Sequence, residues 1–180
     1  LFGQDQGLLQ LQGEVVEAMA AFCQQQGINN TPAGLAEAAE YLLHCKEMGI
    51  PVLPPDINVG KGEFTAEGDH VRYGLYAIKS LGRPVIDKII EERQLGGAYR
   101  TLQDFIERTA ERDVNKRAIE NLIKAGACDG LDGTRKQMTL VSASIVDQVV
   151  HQKKSTLSGQ MSLFDLVSEE NKKDFEVQYP

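Results

Sequence analysis

The stretch Leu75-Tyr76-Ala77-Ile78-Lys79-Ser80-Leu81-Gly82-Arg83-Pro84-Val85-Ile86 decides how this chain folds. Two helical segments, Leu75–Lys79 and Pro84–Arg93, are predicted on either side of a tight turn, Ser80-Leu81-Gly82. In the second, Val85, Ile86, Ile89 and Ile90 recur at helical spacing, and Asp87, Lys88, Glu91 and Glu92 fill the other face. Pro84 sits in the first turn, where a missing N–H costs nothing. The opening N–H groups of such a helix lack intrahelical acceptors. Together with the helix dipole they form a site for an anion, and Lys79 and Arg83 lie beside it. Ser80 stands where a turn of positive φ favours Gly.

Downstream the pattern repeats. Leu102–Thr109 and Lys116–Ala125 read as a second helical pair, with Asp113 or Asn115 as cap and Gly126 as stop. Ala118, Ile119, Leu122 and Ile123 form the inner stripe of the last helix. Asn115-Lys116-Arg117 sets two cations at its start, which is unfavourable for the helix and is relieved by an anionic partner. Paired hairpins of this kind grip a sugar–phosphate backbone without reading bases. A long helix, about Arg135 to Lys153, follows with Met138, Val141, Ile145 and Val149 in register.

Upstream, Val15 to Gln25 and Ala33 to Met48 are predicted helices, the latter burying Leu35, Ala38, Ala39, Leu42 and Leu43. Thr31 and Pro32 start the second, and Gly49 ends it. Leu53-Pro54-Pro55-Asp56-Ile57-Asn58 is excluded from helix by its prolines. Phe64-Thr65 and Val71-Arg72-Tyr73 around Glu67-Gly68-Asp69 predict a short β-hairpin. The fold expected is therefore mainly α, with one β-hairpin and a polar, mobile tail from Ser155 to Pro180.

Charge supports the same region. Residues 1–71 hold 2 basic and 10 acidic side chains, residues 72–124 hold 11 and 8, and residues 125–180 hold 6 and 8. A local positive island on a chain of net charge −7 marks a surface that meets phosphate. Cys23, Cys45 and Cys128 are odd in number and widely spaced, as expected for reduced thiols in a cytoplasmic protein. No apolar run approaches the roughly 20 residues that span a bilayer, so no membrane partner is expected. The first residue is Leu, which points to a longer parent.

Other chemistry is unsupported. Gly60-Lys61-Gly62 is too short for a P-loop. His44-Cys45 has no further ligands at metal spacing. Asp129 and Asp132 read as turn or cap residues, and no carboxylate pair or Ser/His/Asp set suggests a catalytic residue. In the tail, Gln160-Met161-Ser162-Leu163-Phe164 has the pattern of a short peptide that docks one polar and one deep apolar side chain into a groove.

The order of several strings resembles the bacterial DNA polymerase III alpha subunit, the C family of replicative polymerases. Cys45-Lys46-Glu47-Met48-Gly49-Ile50, Leu53-Pro54-Pro55-Asp56-Ile57-Asn58, Arg72-Tyr73-Gly74-Leu75, Val114-Asn115-Lys116-Arg117 and Leu122-Ile123-Lys124-Ala125-Gly126-Ala127 carry the resemblance, which covers about residues 15–166. It implies the end of a fingers region (1–58), a β-hairpin linker (59–74), a tandem helix–hairpin–helix domain (75–154) and a tail (155–180). It also implies partners: primer–template double-stranded DNA, the sliding clamp beta subunit through Gln160–Phe164, and other replicase subunits. Catalytic aspartates and their Mg2+ belong to a palm domain upstream, so no cofactor is expected here. The competing expectation is a purely structural, protein-interaction segment whose cations pair with Asp87, Glu91, Asp104, Glu107 and Glu120. A helix–hairpin–helix repair factor fits less well, given the Pro-Pro segment and the tail motif.

Overall fold

The computed structural model describes residues 32–110, 114–157 and 179. The predicted helix Val15–Gln25, residues 1–13 and the Gln160–Phe164 string lie outside the described residues. The chain is mainly α, with five α-helices and a three-stranded sheet among the described residues.

Helix α1 (Pro32–Glu47) begins on Pro32 and stops at Gly49, which takes a left-handed φ of 70°. Its buried face differs from the predicted stripe. Ala39 and Leu43 are exposed and Leu42 is half-buried, whereas Cys45 is buried. At the C-terminal end of α1, Cys45 and the following Ile50 join Phe64, Val71 and Ala77 in a small core.

Strands β1 (Val52–Leu53), β2 (Thr65–Glu67) and β3 (His70–Arg72) are ordered β1-β3-β2. The predicted hairpin is β2–β3, antiparallel with Ala66 opposite Val71, turning through Gly68 at φ 62°. Strand β1 is an addition. It runs parallel to β3, with Val52 opposite Val71, and uses the only non-proline stretch between Pro51 and Pro54.

The first predicted helical arm, Leu75–Lys79, is not an α-helix. Only Leu75–Ala77 winds, as one 3-10 turn, and Ile78 is already extended. The amides of Leu75 and Tyr76 donate to the carbonyls of Lys61 (3.0 Å) and Gly62 (2.7 Å), which fixes the segment against the preceding loop. The fit needs two glycines. A Cβ on Gly62 would lie 2.2 Å from the Tyr76 ring, and one on Gly74 would lie 2.6 Å from the Glu63 backbone.

Helix α2 (Arg83–Gly96), α3 (Leu102–Thr109), α4 (Lys116–Ala125) and α5 (Arg135–Leu157) complete the fold. Thr101 caps α3 by accepting from the Asp104 amide, and Asp132 accepts from Leu102 N–H at 2.9 Å, a cap role expected for it. Gly126 ends α4 at φ 87°. Ile86, Ile89, Leu102, Phe105, Ile106, Ile119, Leu122, Ile123 and Met138 are fully enclosed and form the main core. Complete burial of each such side chain contributes about 1.5–3 kcal/mol. Tyr179, which belongs to the predicted mobile tail, packs on this core beside Gly133. No described helix is long and apolar enough to cross a membrane.

Candidate nucleic-acid interface

The predicted contact residues fall into two clusters, one at the start of each of two helices. The first is the turn before α2. Ser80 adopts φ 64°, the left-handed region that costs an L-residue roughly 1–2 kcal/mol, so the turn does demand what Gly supplies best. Leu81 is 3% exposed, a core anchor rather than a contact residue. Lys79, Gly82 and Arg83 are exposed. Gly82 is the N-cap of α2 and supplies no side-chain cap, though its carbonyl accepts from Val85 N–H at 3.1 Å; Pro84 lies in the first turn. The Arg83 guanidinium lies 4.4 Å from the Tyr76 ring centroid, and the Tyr76 hydroxyl donates to Asp87. That hydrogen bond, with burial, raises the phenol above its ordinary value. The cation is thus held at the mouth of the turn by an aromatic face.

The second cluster opens α4. Asn115 is the cap, its side chain accepting from Ala118 N–H at 3.1 Å. Asn115, Lys116 and Arg117 are all exposed. Lys116 reaches Asp147 of α5 at 2.5 Å, a solvent-facing pair worth little. The inner stripe Ala118, Ile119, Leu122 and Ile123 is buried as predicted and fixes which way these cations face.

Three other cations of the positive island serve the fold. Arg72 pairs with Glu67 at 2.6 and 2.8 Å and donates to Pro54 O at 3.1 Å. The pair holds the Glu67 carboxyl below its usual range. Arg93 donates to the carbonyls of Ile57 (2.7 Å) and Gly60 (3.0 Å). Arg108 donates to the carbonyls of Glu92 (3.0 Å) and Gly97 (2.9 Å), pairs with Glu92 and Asp104, and covers the Tyr99 ring at 4.4 Å. Of the expected pairings, Arg108–Asp104 and Lys124–Glu120 form. Asp87 stands four residues after Arg83 on α2, but the support of Tyr76 has no signal in the spacing, because the turn between Tyr76 and Arg83 is not helical.

Among the described residues no group of three or more His, Cys, Asp or Glu is arranged to hold a metal ion. Cys45 and Cys128 are buried free thiols, and burial pushes Cys128 up to about 12, which makes it unreactive.

Residues 49–138, half of the chain, match the family model of the helix-hairpin-helix motif. The chain is also similar to curated proteins named DNA polymerase III subunit alpha. It is 40% identical to that of Mycobacterium leprae over 128 residues (71% of this chain, 11% of the relative). It is 38% identical to that of Thermus aquaticus over 133 residues (74% and 11%) and 34% identical to that of Chlamydia pneumoniae over 146 (81% and 12%). The chain thus spans about a tenth of the length of these relatives. It belongs to the helix–hairpin–helix motif family and is homologous to one segment of the DNA polymerase III alpha subunits.

Proposed function

We propose that this chain is the duplex-holding segment of a DNA-directed DNA polymerase, acting in DNA-templated synthesis in the cytoplasm and non-catalytic by itself. The observation that carries this reading is the start of α4. A capped helix presents Lys116 and Arg117 to solvent, inside the part of the chain that matches the helix–hairpin–helix motif. The uncapped start of α2, with Lys79 and the ring-supported Arg83, adds a second handle for phosphate. Backbone contacts of this kind carry no sequence preference, as a replicative enzyme requires.

Within the parent chain, residues 1–58 would close the fingers region, 59–74 would link, 75–154 would hold DNA, and 155–180 would reach the sliding clamp. Gln160, Met161, Ser162, Leu163 and Phe164 are the clamp peptide in this proposal. Two weak contacts joined in one chain gain avidity of about two to four orders of magnitude. Other replicase subunits complete the assembly, and the palm of the parent supplies Mg2+ and the catalytic carboxylates.

Anisotropy of a labelled primed duplex, titrated across salt, tests the DNA contact. Log affinity is expected to fall with log salt by about 0.9 per phosphate neutralised. Binding indifferent to salt and to Lys116→Ala with Arg117→Ala rejects it. For the clamp, unchanged affinity in a Leu163→Ala, Phe164→Ala variant rejects the peptide assignment. The alternative, a scaffold without DNA contact, draws on the interior use of Arg72, Arg93 and Arg108. Absence of duplex binding at low salt would favour it.

A further inference from the structure

Helix α4 has an outer row as well as a buried stripe. Arg117, Asn121 and Lys124 are spaced i, i+4, i+7 and so stack along one side of the helix, opposite Ala118, Ile119, Leu122 and Ile123. Arg117 and Lys124 are exposed, and Asn121 is half-buried. The lower end of the row forms one wall of a groove of about 510 Å³. Lys79, Pro55, Tyr73 and Ile78 also line it, the last three giving it apolar surface. The groove therefore runs from the turn before α2, where contact residues were predicted, to the C-terminal half of α4, where none were.

Cationic and amide rims over an apolar floor suit one polymer in particular. Phosphate oxygens accept from ammonium, guanidinium and amide donors, while deoxyribose C–H surface packs on a ring and a proline. From Arg117 to Lys124 the helix rises about 10 Å. A row of that length reaches across neighbouring phosphates of one strand. Lys124 pairs with Glu120 at 2.5 Å, but its side chain is 61% exposed, so a solvated pair of this kind yields to phosphate at little cost. Lys116 lies off the row, toward Asp147.

We infer that one strand's sugar–phosphate backbone lies in this groove, held by Lys79, Asn121 and Lys124, and continues along α4 to Arg117 outside it. This rests on the duplex-binding reading and adds Asn121 and Lys124 to the contact set.

The test uses the whole 180-residue chain and a labelled duplex of arbitrary sequence, from about 50 to 200 mM salt. Melting curves accompany each variant. Lys79→Ala with Lys124→Ala is expected to lower the salt slope by about two. Asn121→Asp, which places a carboxylate in the groove, is expected to weaken binding several-fold at the lowest salt, whereas Lys136→Ala on exposed α5 leaves the slope unchanged. If the unaltered chain binds with salt dependence but the double variant keeps its slope and Asn121→Asp keeps its affinity, the groove assignment falls and duplex binding stands. If the unaltered chain shows no salt-dependent binding, both fall.

Discussion

Arg93 and Arg108, where α2 meets α3, and Lys116 and Arg117, at the start of α4, are two pairs of cationic residues spent in opposite ways. At the junction, Arg93 and Arg108 turn inward and donate to main-chain carbonyls of Ile57, Gly60, Glu92 and Gly97. At the start of α4, Lys116 and Arg117 face water while the neutral Asn115 caps the helix. Positive charge counted along a sequence therefore overstates the charge a phosphate meets. An arginine with five fixed donors is suited to tying carbonyls together, whereas a lysine next to a capped helix start is not. The difference is between cations that stabilise and cations that are available, and substitutions at the two places should separate stability from binding.

Arg108→Ala should have the largest effect. It strands two carbonyls and two carboxylates and uncovers Tyr99, so urea unfolding is expected to show a loss of about 3 kcal/mol, with the salt slope for duplex binding unchanged. A slope that falls with it would place Arg108 among the DNA contacts. The same junction should be sensitive to alkali. Burial, offset in part by Arg108, pushes the Tyr99 hydroxyl up to about 12, and it donates to Ile89 O at 2.7 Å. The unfolded chain ionises first, so stability present below the ordinary tyrosine value is lost as pH rises from there through about 12. Phenolate absorbance and unfolding followed together should show this, and Tyr99→Phe should flatten it.

At the open end the effects are smaller. Asn115→Ala removes the α4 cap and is expected to cost about 1 kcal/mol in thermal unfolding. Ser80→Gly relieves the left-handed backbone and should gain up to about 1 kcal/mol, against the entropy that Gly adds to the unfolded chain. Arg117→Ala should move stability by no more than about 0.5 kcal/mol while lowering the salt slope by about one. A large stability loss there would make Arg117 a structural residue like Arg108.

The two hairpins also differ in how far they could be read in advance. Helices α3 and α4 have the predicted bounds because every signal is local: a cap at Asn115, a four-residue inner stripe and a stop at Gly126. Leu75–Lys79 was misread because its fate is set from elsewhere. Ile78 is already extended and Ser80 takes a left-handed φ of 64°, and five residues are too few to compete as a helix. Strand β1 was invisible for the same reason, since two residues between prolines gain their identity only from Val71 and Arg72. On α1 the stripe residues Ala39 and Leu43 are exposed, because periodicity fixes which residues share a face and not whether a partner covers it. Among candidate contacts, Lys79, Gly82, Arg83, Asn115, Lys116 and Arg117 reach the surface, whereas Leu81 does not. The i, i+4, i+7 row on α4 was present in the spacing, but only the groove beside it gives the row meaning.

The loop Asp56–Gly60 has a mechanical consequence. Asn58 exchanges hydrogen bonds with both the N–H and the carbonyl of Tyr99, Ile57 N–H donates to Ala127 O, and Arg93 grips Ile57 and Gly60. Five residues thus bolt α2, the entry to α3 and the exit from α4 to a single rivet. Load applied from the strand side therefore reaches both helical pairs through that rivet, while the core they share keeps them packed on one another.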